Sequence, residues 1–168
     1  MTGRDPRADF ADFVREATPA LLRTAWLITG RVDQSQDLVQ AAFVKAYVAW
    51  PRIRRAEALA YVRRIVVNEH TDSWRRTRRE VPTGEIEARQ LAAVGKTSDV
   101  DHRDEIVRLL RHLPEQQRKV VVLRYYADLS ERQVADALGI SLGAVKSAAS
   151  RGLAALRDLT TLTGDDRR

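Results

Sequence analysis

The sequence predicts an all-α protein: two small helical domains joined by a flexible linker. Three observations point there. Apolar residues recur with the 3.6-residue period of amphipathic helices, and no convincing alternating run occurs; Val120–Leu123 is apolar but sits inside a helical pattern. The stretch from Glu80 to Asp101 lacks aromatic residues and is rich in turn formers, as in Val81-Pro82-Thr83-Gly84 and Gly95-Lys96-Thr97-Ser98. The charge changes sign along the chain: residues 1–79 hold 15 basic and 9 acidic side chains, residues 80–101 hold 2 and 5, and residues 102–168 hold 12 and 9. The overall +6 in 168 residues thus resolves into +6, −3 and +3. The expected division is a first domain over 6–80, a linker over 81–101 with one short helical stretch near Ile86–Val94, and a second domain over 102–160.

Phe10, Phe13, Val14 and Ala17 open a first helix. Thr18 and Pro19 read as an N-cap and first helical position, restarting a helix through Leu21, Leu22, Ala25 and Trp26 to Gly30. Asp33 caps the next helix, whose stripe Val39, Phe43, Ala46, Tyr47 and Trp50 runs until Pro51. After the basic loop Arg52–Arg55, a long helix from about Glu57 to Arg79 is expected to bury Leu59, Val62, Val66 and Trp74. In the second domain, Ile106, Leu109, Leu110 and Leu113 make a short amphipathic helix, and Pro114 starts another that reaches about Ala127. Ser130 and Gln133 form a capping box for a helix that Gly139 ends, and Ser141 caps the last helix, with Val145, Ala149, Gly152, Leu153 and Leu156 on one face.

Helix, the turn Gly139-Ile140-Ser141, helix is helix-turn-helix spacing, which places the second helix in the DNA major groove with its N-terminal residues toward base edges. The residues left facing outward are Gly143, Ala144, Lys146, Ser147, Ser150 and Arg151. Lys146 and Arg151 suit phosphates or guanine acceptors, the serines bond either, and the two small residues permit close approach. The same spacing also serves as a plain packing motif with a solvated face.

A second polar stripe runs along the long helix of the first domain: Arg64, Asn68, Thr71, Arg75 and Arg78/Arg79 share one face. It suits a nucleic-acid backbone, with steep salt dependence, although Arg-rich helix ends are often only solvated surface. The adjacent loop from Trp50 to Glu57 sets an aromatic and a proline beside Arg52, Arg54 and Arg55, a combination that can hold an unstacked base; Trp50 itself reads better as the last core residue of its helix. Catalysis finds little support. The chain has no Cys, His70, His102 and His112 share no metal-ligand spacing with carboxylates, and neither a Gly-rich phosphate loop nor a nucleophile motif occurs. No cofactor is expected. No apolar run approaches the roughly 18 residues of a membrane span, and the N-terminal stretch lacks a signal peptide's apolar core, so a cytoplasmic chain without membrane insertion is expected.

The stretch from Leu113-Pro114-Glu115-Gln116-Gln117-Arg118 through Leu123-Arg124-Tyr125 and Leu129-Ser130 resembles the C-terminal domain of bacterial RNA polymerase sigma factors, as does its continuation Gly143-Ala144-Val145-Lys146-Ser147 and Arg151-Gly152-Leu153. Asp37-Leu38-Val39-Gln40, Phe43 and Tyr61-Val62-Arg63-Arg64-Ile65-Val66-Val67-Asn68 look like the family's other conserved domain. Two domains in this order and size resemble the extracytoplasmic-function group, actinobacterial branch. The resemblance implies a sigma region 2 helical bundle and a sigma region 4 helix-turn-helix. It implies that Asp37, Leu38, Gln40 and Phe43 dock on the clamp helices of core RNA polymerase, and that region 4 meets its flap. It further implies that Arg54, Arg55, Arg64, Asn68, Thr71 and Arg75 read and melt the −10 element of promoter DNA, and that the last helix reads the −35 element. The acidic linker would thread toward the RNA exit path, and the chain would associate with the nucleoid when bound to polymerase. An anti-sigma factor is a further candidate partner.

Two positions depart from the family pattern: Ala41 stands where an acidic residue is usual, and Ala148 where a basic residue often follows the Lys-Ser pair. Two other readings are weighed: a stand-alone helix-turn-helix regulator, which would leave the first domain without a role, and a sigma-like protein that binds polymerase or an anti-sigma partner without initiating.

Overall fold

The computed structural model describes residues 5–80 and 102–165, and these are helical apart from short turns. The predicted linker 81–101, including its short helix and its threading role, lies outside the described residues, as do the side chains of Trp74, Arg78 and Arg79. Contacts divide the chain into two compact units that meet between Thr71 and Asp72.

In the first unit, α1 runs Pro6–Thr29, capped by the Asp5 carboxylate, which accepts from the Arg7 amide at 3.0 Å. It is one helix, not the two expected. Pro19 lies inside it, exposed, so the lost backbone hydrogen bond falls on the solvent side. Thr18 is no cap: its hydroxyl donates back to the Val14 carbonyl at 2.5 Å. Continuity is held by a buried line that runs past the proline, Phe13, Ala17, Leu21, Ala25 and Ile28. Gly30, at φ 68°, ends the helix in the left-handed conformation and donates to the Trp26 carbonyl at 2.7 Å.

α2 covers Val32–Ala49. Its cap position is Arg31, extended at φ −132°, so Asp33 is in the first turn rather than at the N-cap. Arg31 grips Asp33 at 3.2 and 2.9 Å and, with the Gln34 amide, holds that carboxyl below its ordinary pKa. The buried line of α2 is Ser35, Val39, Ala42 and Ala46, and Tyr47 faces outward. Two tight turns follow, Trp50–Arg52 and Arg55–Glu57, then α3 over Ala58–Glu80, which the unit boundary divides after Thr71. Ala58, Val62 and Val66 close the core against α1 and α2, with Leu59 only half-buried. Trp50 is the core residue expected, 5.0 Å centroid to centroid from both Phe10 and Phe13.

In the second unit, α4 spans His102–Arg111. Its inward residues are Val107 and Leu110, followed by Leu113, while Ile106 is 54% exposed. The expected stripe is therefore one residue out of phase at its start. Pro114 caps α5, Glu115–Val121, rather than opening it. The chain continues through a wider π-helical turn, Val122–Tyr126, in which the Ala127 amide reaches the Val122 carbonyl at 3.0 Å. Val120, Val121, Val122 and Leu123 are all buried, which makes this the central element of the unit. Lys119 is 4% exposed and paired with Glu115; burial pushes its ammonium below its ordinary pKa, and the carboxylate opposes that.

α6, Glu131–Leu138, begins with the predicted capping box: Ser130 N to Gln133 Oε1 at 2.8 Å, and Gln133 N to Ser130 Oγ at 3.2 Å. Gly139 ends it at φ 65°. The Ser141 hydroxyl then accepts from the Ala144 amide at 3.1 Å and starts α7, Leu142–Asp165, which packs on α5 and α6.

Candidate nucleic-acid interface

The recognition face is set by what α7 must bury. Val145, Ala148, Ala149 and Gly152 point into the unit. That leaves Gly143, Lys146, Ser150 and Arg151 exposed on the other side, with Ala144 and Ser147 half-buried at its edge. The six residues predicted to meet DNA thus share one helix and one outward aspect. Ala148 does not belong among them: it is 7% exposed and serves packing, so the lack of a basic residue there removes nothing from the groove-facing side. The Lys146 ammonium lies 3.8 Å from a Glu131 oxygen across the turn, an exposed pair of the kind worth about 0–1 kcal/mol.

Along α3, Arg64, Asn68 and Arg75 are exposed and Thr71 is half-buried, its hydroxyl donating to the Val67 carbonyl at 3.0 Å. Val62 and Val66, buried on the opposite side, fix this orientation. In the loop before α3, Arg54 projects outward with Glu57 3.7 Å away. Arg55 does not join it. Its guanidinium turns back onto α1, pairs with Glu16 and lies over the Phe13 ring. This separates two residues that sequence reasoning had grouped.

The residues expected to dock on a partner also divide. Asp37 and Gln40 are exposed on α2, whereas Leu38 and Phe43 pack against the core, Phe43 with Phe10 at 6.4 Å and Phe13 at 6.2 Å. The exposed aspect continues instead through Val44, 64% exposed, and Val48, 80% exposed. Sequence reasoning missed both, although the spacing 37, 40, 44, 48 is itself helical. Among the described residues, no group of His, Cys, Asp or Glu could hold a metal ion, and no helix is long and apolar enough to cross a membrane.

Comparison with known proteins follows the same two units. Residues 13–80 match the family profile of Sigma-70 region 2, and residues 103–156 that of Sigma-70, region 4. The RNA polymerase sigma-E factor of Streptomyces avermitilis is 38% identical over 154 residues, covering 89% of this chain and 84% of that protein. The ECF RNA polymerase sigma factor SigW of Bacillus subtilis is 29% identical over 167 residues, covering 88% and 87%. In fold, the chain is similar to the sigma factor RpoE solved in complex with the anti-sigma factor NepR from Bartonella quintana, with a TM-score of 0.71, 23% identity and coverage of 91% and 97%.

Proposed function

The chain belongs to the sigma-70 family of RNA polymerase sigma factors, in its extracytoplasmic-function group, and from that premise we propose that its two units divide a promoter between them. It serves promoter-directed transcription initiation; the division of labour within that task is the proposal. α7 reads the −35 element as duplex, through Lys146, Ser147, Ser150 and Arg151, with Gly143 and Ala144 allowing close approach. The exposed side of α3, with Arg64, Asn68, Thr71 and Arg75, and the loop bearing Arg54 engage the −10 element as it opens. Asp37, Gln40, Val44 and Val48 dock on the clamp helices of core polymerase, and the second unit meets the flap. The protein works in the cytoplasm, at the nucleoid when bound to polymerase, confers specificity on polymerase rather than catalysing a reaction, and has an anti-sigma factor as a further partner.

The observation that carries this reading is the exposed polar side of α7, set behind a capped three-residue turn in a chain that also supplies the region 2 bundle. Energetics favour the division as well. Extruding a base costs a few kcal/mol, and stacking returns about 1–3 kcal/mol per base, so a bundle of this size needs polymerase to hold a bubble open. Run-off transcription with core polymerase and promoters selected from random-sequence duplex tests the proposal. Transcripts that depend on the chain are expected. Tight duplex binding by the chain alone, with no transcript from any template, would overturn it.

A further inference from the structure

One charged side chain ties the loop between α2 and α3 to α1, while Ile53 in the middle of the loop is half-buried against the core. Arg55 opens the second tight turn, and its guanidinium meets three groups on a single face of α1: Glu16, to which it is paired, Asp9, whose Oδ1 is 3.9 Å from Nε, and the Phe13 ring, with Cζ 5.0 Å from its centroid. Positions 9, 13 and 16 fall on one helical aspect, so α1 presents carboxylate, ring face and carboxylate in a row. A planar guanidinium suits that receptor and an ammonium does not. Phe13 is 1% exposed and packs against Trp50, the residue from which the loop departs. The contacts therefore link the far end of the loop to the aromatic cluster at its near end.

Between those ends the backbone holds itself with little. Ile53 N reaches the Trp50 carbonyl at 3.0 Å, and Glu57 N reaches the Arg54 carbonyl at 2.9 Å. Arg52 and Arg54 are exposed on this segment. Arg55 differs from them in its electrostatic surroundings. Two carboxylates against one guanidinium leave a net negative site, and a DNA phosphate would have to displace Glu16 and approach Asp9 to reach it.

We infer that Arg55 is a positioning residue: it locks loop 50–57 onto α1 so that Arg52 and Arg54 are presented to the DNA strand, and it does not itself contact DNA. The inference rests on the proposed role of this loop at the −10 element. A loop fixed before binding loses less conformational entropy on binding, so the contribution of Arg55 is to preorganise its neighbours.

The test uses the full chain as Arg55→Ala, Arg55→Lys, Glu16→Gln and the Arg55→Ala/Glu16→Gln double variant. Glu16 is 68% exposed at its side chain, so Glu16→Gln leaves the bundle folded. Amide hydrogen exchange over residues 52–57 reads the lock directly, and permanganate reactivity of a selected promoter, with reconstituted polymerase, reads opening. Arg55→Ala, which loses both the ion pair and the contact over Phe13, is expected to speed loop exchange and to reduce opening by about tenfold, and Glu16→Gln, which loses only the pair, by a smaller factor of up to about fivefold, with core-polymerase affinity unchanged. The double variant should be no worse than Arg55→Ala, and Arg55→Lys should restore only part of either readout. Unchanged loop exchange would overturn the inference. So would a loss of opening in Arg55→Ala with opening kept or raised in Glu16→Gln, since releasing a residue that binds DNA directly should help it. If the unsubstituted chain opens no promoter, the functional reading fails, and the exchange measurement still decides the lock.

Discussion

Gly152 seats α7 directly against Val121 and Gln117 of α5, and replacing it with alanine is a sharp test of how the recognition helix is seated. A Cβ built at Gly152 would lie 2.7 Å from Val121 Cγ2 and 3.6 Å from both the Cβ and the carbonyl oxygen of Gln117. Ordinary carbon–carbon contact is about 3.5–4.0 Å, so the overlap with Val121 is roughly 1 Å. Val121 has no room to yield, being 6% exposed between Val120 at 0% and Val122 at 2%. Either the side chain leaves its rotamer or α7 lifts from α5, at a cost of about 1–3 kcal/mol for such overpacking. Against this stands the gain of about 1 kcal/mol that alanine brings over glycine in a helix. Gly143 supplies the reference, since a Cβ there meets nothing nearer than Ser141 Oγ at 3.9 Å and only the propensity gain applies.

Gly152→Ala should therefore be less stable than Gly143→Ala by about 1–3 kcal/mol. In a Val121→Ala background, which removes the opposing methyl, Gly152→Ala should recover most of that difference, giving a coupling of similar size. The assay is urea unfolding of the intact chain, read by amide exchange in α5 and α7. The reasoning is refuted if Gly152→Ala is as stable as Gly143→Ala, or if the coupling with Val121 is below about 0.5 kcal/mol.

Lys146→Ala and Arg151→Ala should each weaken binding to a −35 duplex by about 1–3 kcal/mol and lower its salt dependence, with core-polymerase affinity unchanged; titration at several salt concentrations checks this, and equal loss of both affinities would contradict the division between units. Asn68→Ala should leave closed complexes intact and reduce open ones, seen as lower permanganate reactivity with unchanged gel retardation. Asp37→Ala and Gln40→Ala should weaken binding to core polymerase without moving the melting temperature. Phe43→Ala should do the reverse in the first instance, destabilising the first unit by about 3 kcal/mol through loss of core contact, as thermal unfolding would show.

The parts of the fold legible from sequence are those whose physics is local. The Ser130–Gln133 box, the left-handed Gly139 and the Ser141 cap each involve groups within five residues, and each forms as the residue types require. The recognition face follows from them, because a helix whose start is fixed has its phase fixed too. Phase is lost where two apolar residues are adjacent and only a distant partner chooses between them. Ile106 and Val107 are such a pair, and α4 buries the valine. The continuity of α1 has the same origin: the cost of Pro19 is local, and what outweighs it is the core built with α2 and α3.

Charge is where local reading is weakest and where function depends on it most. Arg54 and Arg55 are indistinguishable in sequence, each a cation in a basic loop. One projects outward, and the other is drawn to a carboxylate 39 positions earlier in the chain, across a ring that belongs to the core. A net charge of +6 counts both alike. What polymerase and DNA meet is the set of cations whose side chains stay in solvent, including Lys146 and Arg54 beside their exposed partners Glu131 and Glu57. On that account Lys146, Arg151, Arg64 and Arg54 are outward-facing surface, and Arg55 is part of the frame that holds Arg54 in place. The separation also predicts how sequence change should fall: losing an outward cation alters affinity and salt dependence in proportion to its charge, whereas losing Arg55 alters the conformation of a loop, and restoring charge alone with lysine does not repair it.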